Sequence, residues 1–596
     1  MPDSSKPESL IVADIGSVTT QVGLVDFVGN DFRFVAAGSS ITTANAPSSD
    51  VTVGVRDAIR QIETRTERKF LSSESQLISP TRPNGEGVDA FVAVTSAPVP
   101  LRVAVVGLSR DVSLASAVRA VESTHATVAA MLALDDAGGR WIPIEHKVDE
   151  FSDKKTPTVS MQDPAVIAAE SLASTSVDVI VLVGGVDGGA TAPLYDITNL
   201  IAAIQASRDE SARPIIVFAG NSEARPQIAN RIGSLTALRV VENVRPTLER
   251  ENLIPLQREL DNIYAEKKIN WLPGLTALTQ WTPTPILSTA RAFENVVRFL
   301  SRRHGINVLG VDLGGAWTTV VSARKDNYAS FVRANLGLGQ GMEGLLRCAG
   351  VERLMQWLPL EYTSEQAQVR WLNQTYRPWS IPSTRDDAHL MQAAARAALA
   401  TAIRDVDVND VDLVVLSGGI CTHTDNFGAL ALLALDALQP SGIFTLAADS
   451  FGLVSAFGGM AAVNPEAAAS VIERDGLVTL GTVIAPQSKN RDGQVDVRVR
   501  VKPTGAGAID LEVQHGSLEL IPLTQEQKAA IEVRPTRGVD LGKSKNDLFK
   551  ADVEGGALGL IIDARGRPVT LSSDPEARRT QIQKWYWDVG GEVANG

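Results

Sequence analysis

Two segments of the chain repeat one another: Asp14-Ile15-Gly16-Ser17-Val18-Thr19-Thr20 and Asp312-Leu313-Gly314-Gly315-Ala316-Trp317-Thr318. Aligned without gaps, the Asp, the Gly and the last Thr coincide, and each segment follows an apolar run. Glycine lets backbone N–H groups approach phosphate oxygens closely, so a Gly turn after a strand can form an anion nest. The hydroxyls of Ser17, Thr19, Thr20 and Thr318 would add donors. A carboxylate at the strand end, Asp14 or Asp312, can hold Mg²⁺ through water beside a polyphosphate. Either segment alone is a weak signal and reads more simply as an ordinary β-hairpin with a glycine turn. The repetition is what argues for a shared ligand. A third segment, Val414-Val415-Leu416-Ser417-Gly418-Gly419, is an apolar run ending in two glycines. Such a turn lets a base and ribose pack against bare backbone. No G-x-x-x-x-G-K-[ST] sequence occurs, so a Walker-type loop is excluded.

Other residues invite a role and carry a plainer reading beside it. Asp187 stands between two glycine pairs and could take a metal or ligand; the simpler reading is a tight turn with Asp capping the next helix. His423 follows Gly419 and could face the same site, but a surface or packing role is the simpler reading. The segment Glu554–Pro568 reads as a strand with a Gly-rich, basic turn, either a docking edge or only a turn. Trp585, Tyr586 and Trp587 read as packed against a C-terminal β-rich region, with a partner site as the second reading.

The elements that must position these residues are visible in the hydrophobic pattern. Ile11–Ile15 and Val22–Val25 form a hairpin around the first glycine turn, with Phe32–Ala36 as a third strand. Asp50–Arg68 has helical spacing of Val55, Ile59 and Ile62. Ser72–Gly87 is rich in Ser, Pro, Gly and Asn and reads as a loop. From Phe91 the pattern changes: Phe91–Val94, Leu101–Val106, Val177–Val183 and Ile215–Ala219 read as strands, Leu114–Ser123 as a helix and Gly139–Asp163 as a long loop. This alternation predicts an α/β module over 91–245, inserted in a first lobe over 1–300. Pro285–Arg303 reads as a helix, and Ile306–Leu313 with Thr319–Val321 repeats the opening hairpin. His389–Ala402 and Phe427–Leu438 read as helices flanking the strand Leu413–Leu416, giving a second lobe over 301–475. From Leu477 the pattern has period two, as in Val495–Val501 and Ile509–Val513, which predicts a separable β-rich domain over 476–596.

Composition narrows the class. The chain has 596 residues, 44% hydrophobic and 21% charged, with a net charge of −13, and reads as a soluble multidomain protein. It has no dense Lys/Arg run, which argues against nucleic acid as a partner. Two cysteines, Cys348 and Cys421, exclude a disulfide framework. The N-terminal sequence has no basic stretch followed by an apolar core, and no apolar run reaches spanning length. Together these predict a cytoplasmic protein without a transmembrane segment.

The order of the three glycine segments resembles the actin/Hsp70/sugar-kinase superfamily, with its phosphate-1, phosphate-2 and adenosine segments. On that resemblance Asp14, Gly16, Ser17, Thr19 and Thr20 match phosphate-1. Asp312, Gly314, Gly315 and Thr318 match phosphate-2, with Trp317 where a small or polar residue is usual. Gly418 and Gly419 match the adenosine segment. The implied fold is α/β: two RNase H-like lobes, an inserted α/β subdomain and a C-terminal β-rich domain. The implied ligands are ATP and Mg²⁺.

A narrower resemblance lies in Val177–Val183 followed by Gly184-Gly185-Val186-Asp187-Gly188-Gly189. This looks like the GG-x-DGG segment of the GlmL/MutL family, which is associated with glutamate mutase and unrelated to mismatch repair. Leu101–Leu108, Phe218-Ala219-Gly220-Asn221, Asn243-Val244-Arg245-Pro246 and Leu435–Pro440 also resemble its pattern. The resemblance covers roughly residues 8–470. It implies an ATP-dependent chaperone or reactivator whose protein partner is a coenzyme-B12-dependent mutase. An actin-like scaffold and a small-molecule kinase remain as alternatives; the kinase would need a further catalytic Asp, which no sequence motif identifies.

Overall fold

The computed structural model describes residues 6–134, 142–143, 172–325, 327–424, 426–542 and 548–591. The chain divides into two compact units. One comprises Met1–Pro98, Leu272–Ser330 and Asn335–Gly596; the other comprises Val99–Trp271 and Phe331–Ala334.

The first unit contains two sheets begun on one plan. In one, the strands Asp31–Ile41, Thr19–Val28, Ser9–Ile15, Ala90–Thr95 and Leu287–Ser288 lie in that order. In the other, the order begins Asn327–Ala334, Trp317–Arg324, Asn307–Leu313, Leu413–Ser417 and Gly442–Ala448. Numbered along the chain within each half, both read 3-2-1-4-5. In both, the first strand pairs antiparallel with the second and parallel with the fourth. The two halves are RNase H-like. Ser9–Ile15 and Asn307–Leu313 are central strands, so they bury residues on both faces and read as continuous apolar runs.

A helix follows the fifth strand of each half. Thr289–His304 begins at Ser288, whose side chain accepts from Arg291 N, and ends at Gly305 in the left-handed region. It starts later than its sequence pattern suggests, because Leu287–Ser288 first pairs with Val94–Thr95. Val454–Met460 is the counterpart. The two helices cross closely: a Cβ on Gly458 would lie 2.3 Å from Ala292 O, and one on Gly459 would lie 2.7 Å from Val94 Cγ1. Ala292, Phe293, Val296, Val297, Val454, Phe457 and Met460 share one core with Val12, Val92, Val308 and Val415.

The C-terminal segment divides between two sheets. Lys528–Pro535 and its neighbours Val495–Pro503, Ile509–Gln514 and Phe549–Glu554 form an additional four-stranded antiparallel sheet. Val478–Ala485, Gly559–Asp563 and Leu518–Ile521 instead extend the second half's sheet, with Val478–Ala485 antiparallel to Gly442–Ala448. A helix, Pro575–Asp588, closes the segment. The period-two pattern thus names the strands without telling which sheet they join.

The basic turn after Gly559–Asp563 follows its plainer reading as a turn, and one expectation, for the aromatic cluster, is corrected. Arg565 and Arg567 are buried: Arg565 pairs with Asp563 and with Asp436, both at 2.8 Å, and Arg567 pairs with Asp563 at 2.7 Å. Tyr586 packs toward the helix Arg385–Ala402 and not onto the β-rich sheet. Arg396 Nη1 donates to its hydroxyl at 3.1 Å, and the hydroxyl bonds Gln392. Trp585 lies under the Arg565 guanidinium, and Trp587 is exposed.

The second unit is a doubly wound α/β sheet with strand order Leu238–Val240, Ile215–Phe218, Val179–Val183, Leu101–Gly107, Ala126–Ala133, Ile142–Pro143. All pairs are parallel except the last. Ala90–Thr95, which the pattern suggests as its first strand, pairs instead with Leu10–Ile15 of the other unit's first sheet. Of the long loop read at Gly139–Asp163, only Ile142–Pro143 falls among the described residues.

Candidate functional site

The two hairpin turns have the same local construction. Gly16 N donates to Thr19 O at 3.0 Å, and Gly314 N donates to Trp317 O at 2.9 Å. The N–H groups of Ser17 and Val18, and of Gly315 and Ala316, have no backbone partner among the described residues. Each turn therefore presents two adjacent free donors, the arrangement that binds an anion. The turns face one another: a Cβ on Gly315 would lie 2.3 Å from Val18 Cγ2 and 3.2 Å from Ser17 Oγ.

The pleat sorts the side chains. Asp14 pairs with Gln21 and Ile15 with Thr20; Asp312 pairs with Thr319 and Leu313 with Thr318. Directly opposed residues share a face. Thr20 and Thr318 thus point away from the two carboxylates, which corrects their reading as phosphate donors. Thr20 Oγ1 bonds Thr42 Oγ1 at 2.9 Å, and Thr318 Oγ1 donates to Leu336 O. Thr19 lies on the carboxylate side. Trp317 is its counterpart in the second hairpin, and its indole N–H donates to Ser96 O at 3.1 Å.

Asp14 and Asp312 end equivalent strands and are half-buried. A third carboxylate joins them. Asp449 directly follows the strand Gly442–Ala448 and is fully buried. Its oxygens accept from Ser417 Oγ at 3.0 Å, Phe451 N at 3.3 Å, Leu453 N at 3.2 Å and Val454 N at 3.1 Å. Asp14 accepts from Thr289 Oγ1 at 2.9 Å.

Burial pushes the Asp14 carboxyl well above the ordinary carboxylate range. Asp312 and Asp449 push it further, and the Thr289 hydrogen bond opposes them. The Asp312 carboxyl is pushed up to about 7 by burial and by Asp449. Burial raises Asp449 too, against its Val454, Leu453 and Ser417 donors. Cys421 sits beside the group, its thiol pushed up by burial and by Asp449 and Asp312.

Hard carboxylate oxygens in this surround fit Mg²⁺. Among the described residues no three His, Cys, Asp or Glu side chains gather closely enough to close a metal shell.

The strand Leu413–Ser417 delivers Gly418 next to Leu313. Gly418 has φ of 99°, and a Cβ there would lie 2.1 Å from Leu313 O. Only glycine fits. Gly419 opens the short helix Gly419–Thr422, with free space where its Cβ would be. His423 is exposed, which agrees with its reading as a surface residue, and partial desolvation lowers its imidazole pKa.

A loop absent from the sequence reading supports the second turn. Between Asn327–Ala334 and the helix Met342–Ala349, Leu338 N donates to Gly314 O at 3.1 Å. Gly339 N and Gly341 N both donate to Gly315 O, at 2.8 and 2.9 Å. The alternation Gly337, Gly339, Gly341 was the available signal.

Asp187 belongs to the second unit. It does not cap the following helix, Ala192–Ala206, whose N-terminus has no side-chain cap. It accepts instead from Ser222 N at 2.9 Å and Asn243 Nδ2 at 3.1 Å. Burial opposes its ionisation, but these donors and Arg225 hold its pKa below the usual range.

A protein-family model described as MutL protein matches residues 10–476. Protein MutL of Clostridium tetanomorphum is 22% identical over 468 residues, covering 71% of this chain and 88% of its own length. Nucleotide-free acetone carboxylase is similar over 86% of this chain and 81% of its own, at 11% identity and a TM-score of 0.30. A ROK family glucokinase from Streptomyces griseus, in complex with glucose and AMPPNP, is similar over 76% of this chain and 98% of its own, at 12% identity and a TM-score of 0.27. The ethanolamine utilization protein EutJ from Carboxydothermus hydrogenoformans is similar over 77% of this chain and 91% of its own, at 9% identity and a TM-score of 0.27. No helix among the described residues is long and apolar enough to cross a membrane.

Proposed function

The chain belongs to the MutL protein family, and on that premise we propose that it binds ATP with Mg²⁺ between the Asp14 and Asp312 hairpins and hydrolyses it. The nucleotide cycle would drive a chaperone-like or reactivating action on a protein partner, a coenzyme-B12-dependent mutase, in the cytoplasm. One observation carries this reading: two equivalent turns expose free backbone N–H pairs beside carboxylates whose pKa values are raised.

The polyphosphate would accept from Ser17, Val18, Gly315 and Ala316 N–H, with Ser17 and Thr19 hydroxyls adjacent. Asp14 and Asp312 would hold the water shell of Mg²⁺, which supplies charge neutralisation to the phosphates when bound. Thr289 orients Asp14 through its 2.9 Å hydrogen bond. Gly418 and Gly419 would seat the nucleoside.

Asp449 is read as a structural member of the carboxylate cluster and not as a free base, since both its oxygens are engaged by four donors. The test is a thermal melt with and without millimolar Mg-ATP, followed by capture of partners from cell extract in each nucleotide state. A ligand bound only by the folded chain raises Tm. An unchanged Tm rejects nucleotide binding, and a captured set without a B12-dependent mutase rejects that partner.

A further inference from the structure

Gln340 lies at the junction of the two turns. Its backbone neighbours fix it: Gly339 N and Gly341 N both donate to Gly315 O, at 2.8 and 2.9 Å. A Cβ on Gly337 would lie 2.4 Å from Gly315 O, so this loop is held tightly against the second turn. The Gln340 side chain is exposed and crosses to the first turn, where Nε2 donates to Ser17 O at 3.3 Å. One short side chain thus spans both phosphate turns. The amide is tethered by its nitrogen, and its oxygen, Oε1, has no donor among the described residues and is left as an acceptor.

An acceptor held beside a phosphate-binding turn can fix one hydrogen of a water molecule and aim its oxygen lone pair. We propose that Gln340 is a positioning residue that orients the water attacking the γ-phosphate. The proposal rests on the ATP reading above. In the step, the water oxygen forms the new bond to the γ-phosphorus. The bond from that phosphorus to the β,γ-bridging oxygen breaks, and its electron pair leaves on ADP. The water proton passes to an oxygen of the phosphate product. Gln340 supplies direction and takes no proton, as suits an amide.

The alternative role is structural: the Nε2 bond to Ser17 O would only hold the turns together. Two substitutions separate the roles. Gln340→Met keeps length and bulk but removes donor and acceptor. Gln340→Glu keeps the acceptor and removes the donor to Ser17 O. The experiment uses the full chain, with ADP affinity by calorimetry and turnover by phosphate release. Gln340→Met is expected to lower kcat at least about tenfold, with KM and ADP affinity within about twofold. Gln340→Glu is expected to retain turnover and to gain a pH dependence as its carboxyl ionises. Wild-type turnover in Gln340→Met overturns the proposal, as does loss of turnover in Gln340→Glu together with weakened ADP binding, the signature of a tether. A wild-type chain that binds ATP without hydrolysing it also overturns it. A wild-type chain that binds no ATP overturns the ATP reading itself, and the ADP calorimetry distinguishes that case.

Discussion

Thr289 Oγ1 donates to Asp14 Oδ1 at 2.9 Å, and three residues on, Ala292 presents its carbonyl to Gly458, where a Cβ would come within 2.3 Å. The helix that orients the first carboxylate is therefore also the one that the second half's helix Val454–Met460 packs against. A shift of these helices would move Thr289 relative to Asp14, which couples the packing of the two halves to the site.

Replacing Thr289 tests that link. Thr289→Val keeps the shape and removes the donor, leaving Asp14 with two carboxylate neighbours and no compensating hydrogen bond. A hydrogen bond to a charged group is worth about 1.5–3 kcal/mol. Turnover is expected to fall by up to roughly tenfold, with a smaller loss of Mg-ATP affinity, and Thr289→Ser is expected to restore both. Phosphate release and calorimetric titration of both variants check the pair.

The carboxylates also set a pH dependence. The Asp312 pKa is about 7 in the folded chain, above its ordinary value. Between the two values the folded state holds more protons than the unfolded one, so stability falls as pH rises through this window. Without divalent cation, Tm is expected to drop more between pH 5 and pH 8 in the wild type than in Asp312→Asn. Equal slopes would show that Asp312 ionises freely. Added Mg-ATP should diminish the wild-type drop.

The C-terminal segment is expected to be inseparable from the scaffold of the candidate site. Asp436 is buried between Arg396, at 2.7 Å, and Arg565, at 2.8 Å, and only the second comes from beyond residue 476. A chain cut after Arg474 loses Arg565 and also strips the strand Gly442–Ala448 of its partner Val478–Ala485. Such a chain is expected to be insoluble. Arg565→Met is the milder test: breaking one arm of a buried pair costs about 3–5 kcal/mol, read as a lower midpoint in urea. A soluble truncated chain that binds nucleotide would refute this.

Much of this was legible in the sequence for a physical reason. Asp14 and Asp312 are local signals: an apolar run, a carboxylate and a glycine turn within seven residues, present twice. Gly418 is local too. Asp449 is not. No glycine follows it directly, and the donors that define it include Ser417, 32 residues earlier. The usable signal was an Asp at the C-terminal end of an apolar run, directly after Gly442–Ala448 and next to last in the two hairpin strands. The Thr20 and Thr318 error came from reading residue type without pleat parity, which their pairing with Ile15 and Leu313 supplies. The C-terminal strands were identified by period two, but sheet membership depends on long-range pairing that no local pattern encodes.

Gly418 and Gly419 make a contrasting pair. Gly418→Ala forces a Cβ against Leu313 O in a backbone region that only glycine adopts readily. It is expected to abolish nucleotide binding or folding. Gly419→Ala meets open space and is expected to fold with unchanged Tm; any loss of affinity there reports a nucleoside resting on that surface. Melting curves and nucleotide titrations on both variants check this.

The three carboxylates should respond oppositely to amide replacement. Asp14 and Asp312 carry charge that burial and their neighbours disfavour. Asp14→Asn and Asp312→Asn relieve that cost, and Asn can still accept from Thr289 at position 14. Each is expected to raise Tm at pH 8 in the absence of ligand. The same charge would hold the water shell of Mg²⁺ and stabilise the phosphoryl-transfer transition state more than the ground state. Each change should therefore cut turnover at least roughly tenfold, about 1.4 kcal/mol of barrier, with a smaller effect on nucleotide affinity because the backbone donors remain. Asp449 accepts from one hydroxyl and three backbone N–H groups. An Asn there must turn its own NH₂ toward some of them, so Asp449→Asn should lower Tm. A stabilised, inactive pair at 14 and 312 beside a destabilised variant at 449 is the pattern of a site that trades stability for charge. If all three variants lose stability and keep turnover per folded molecule, the hairpins are structural and the site assignment fails.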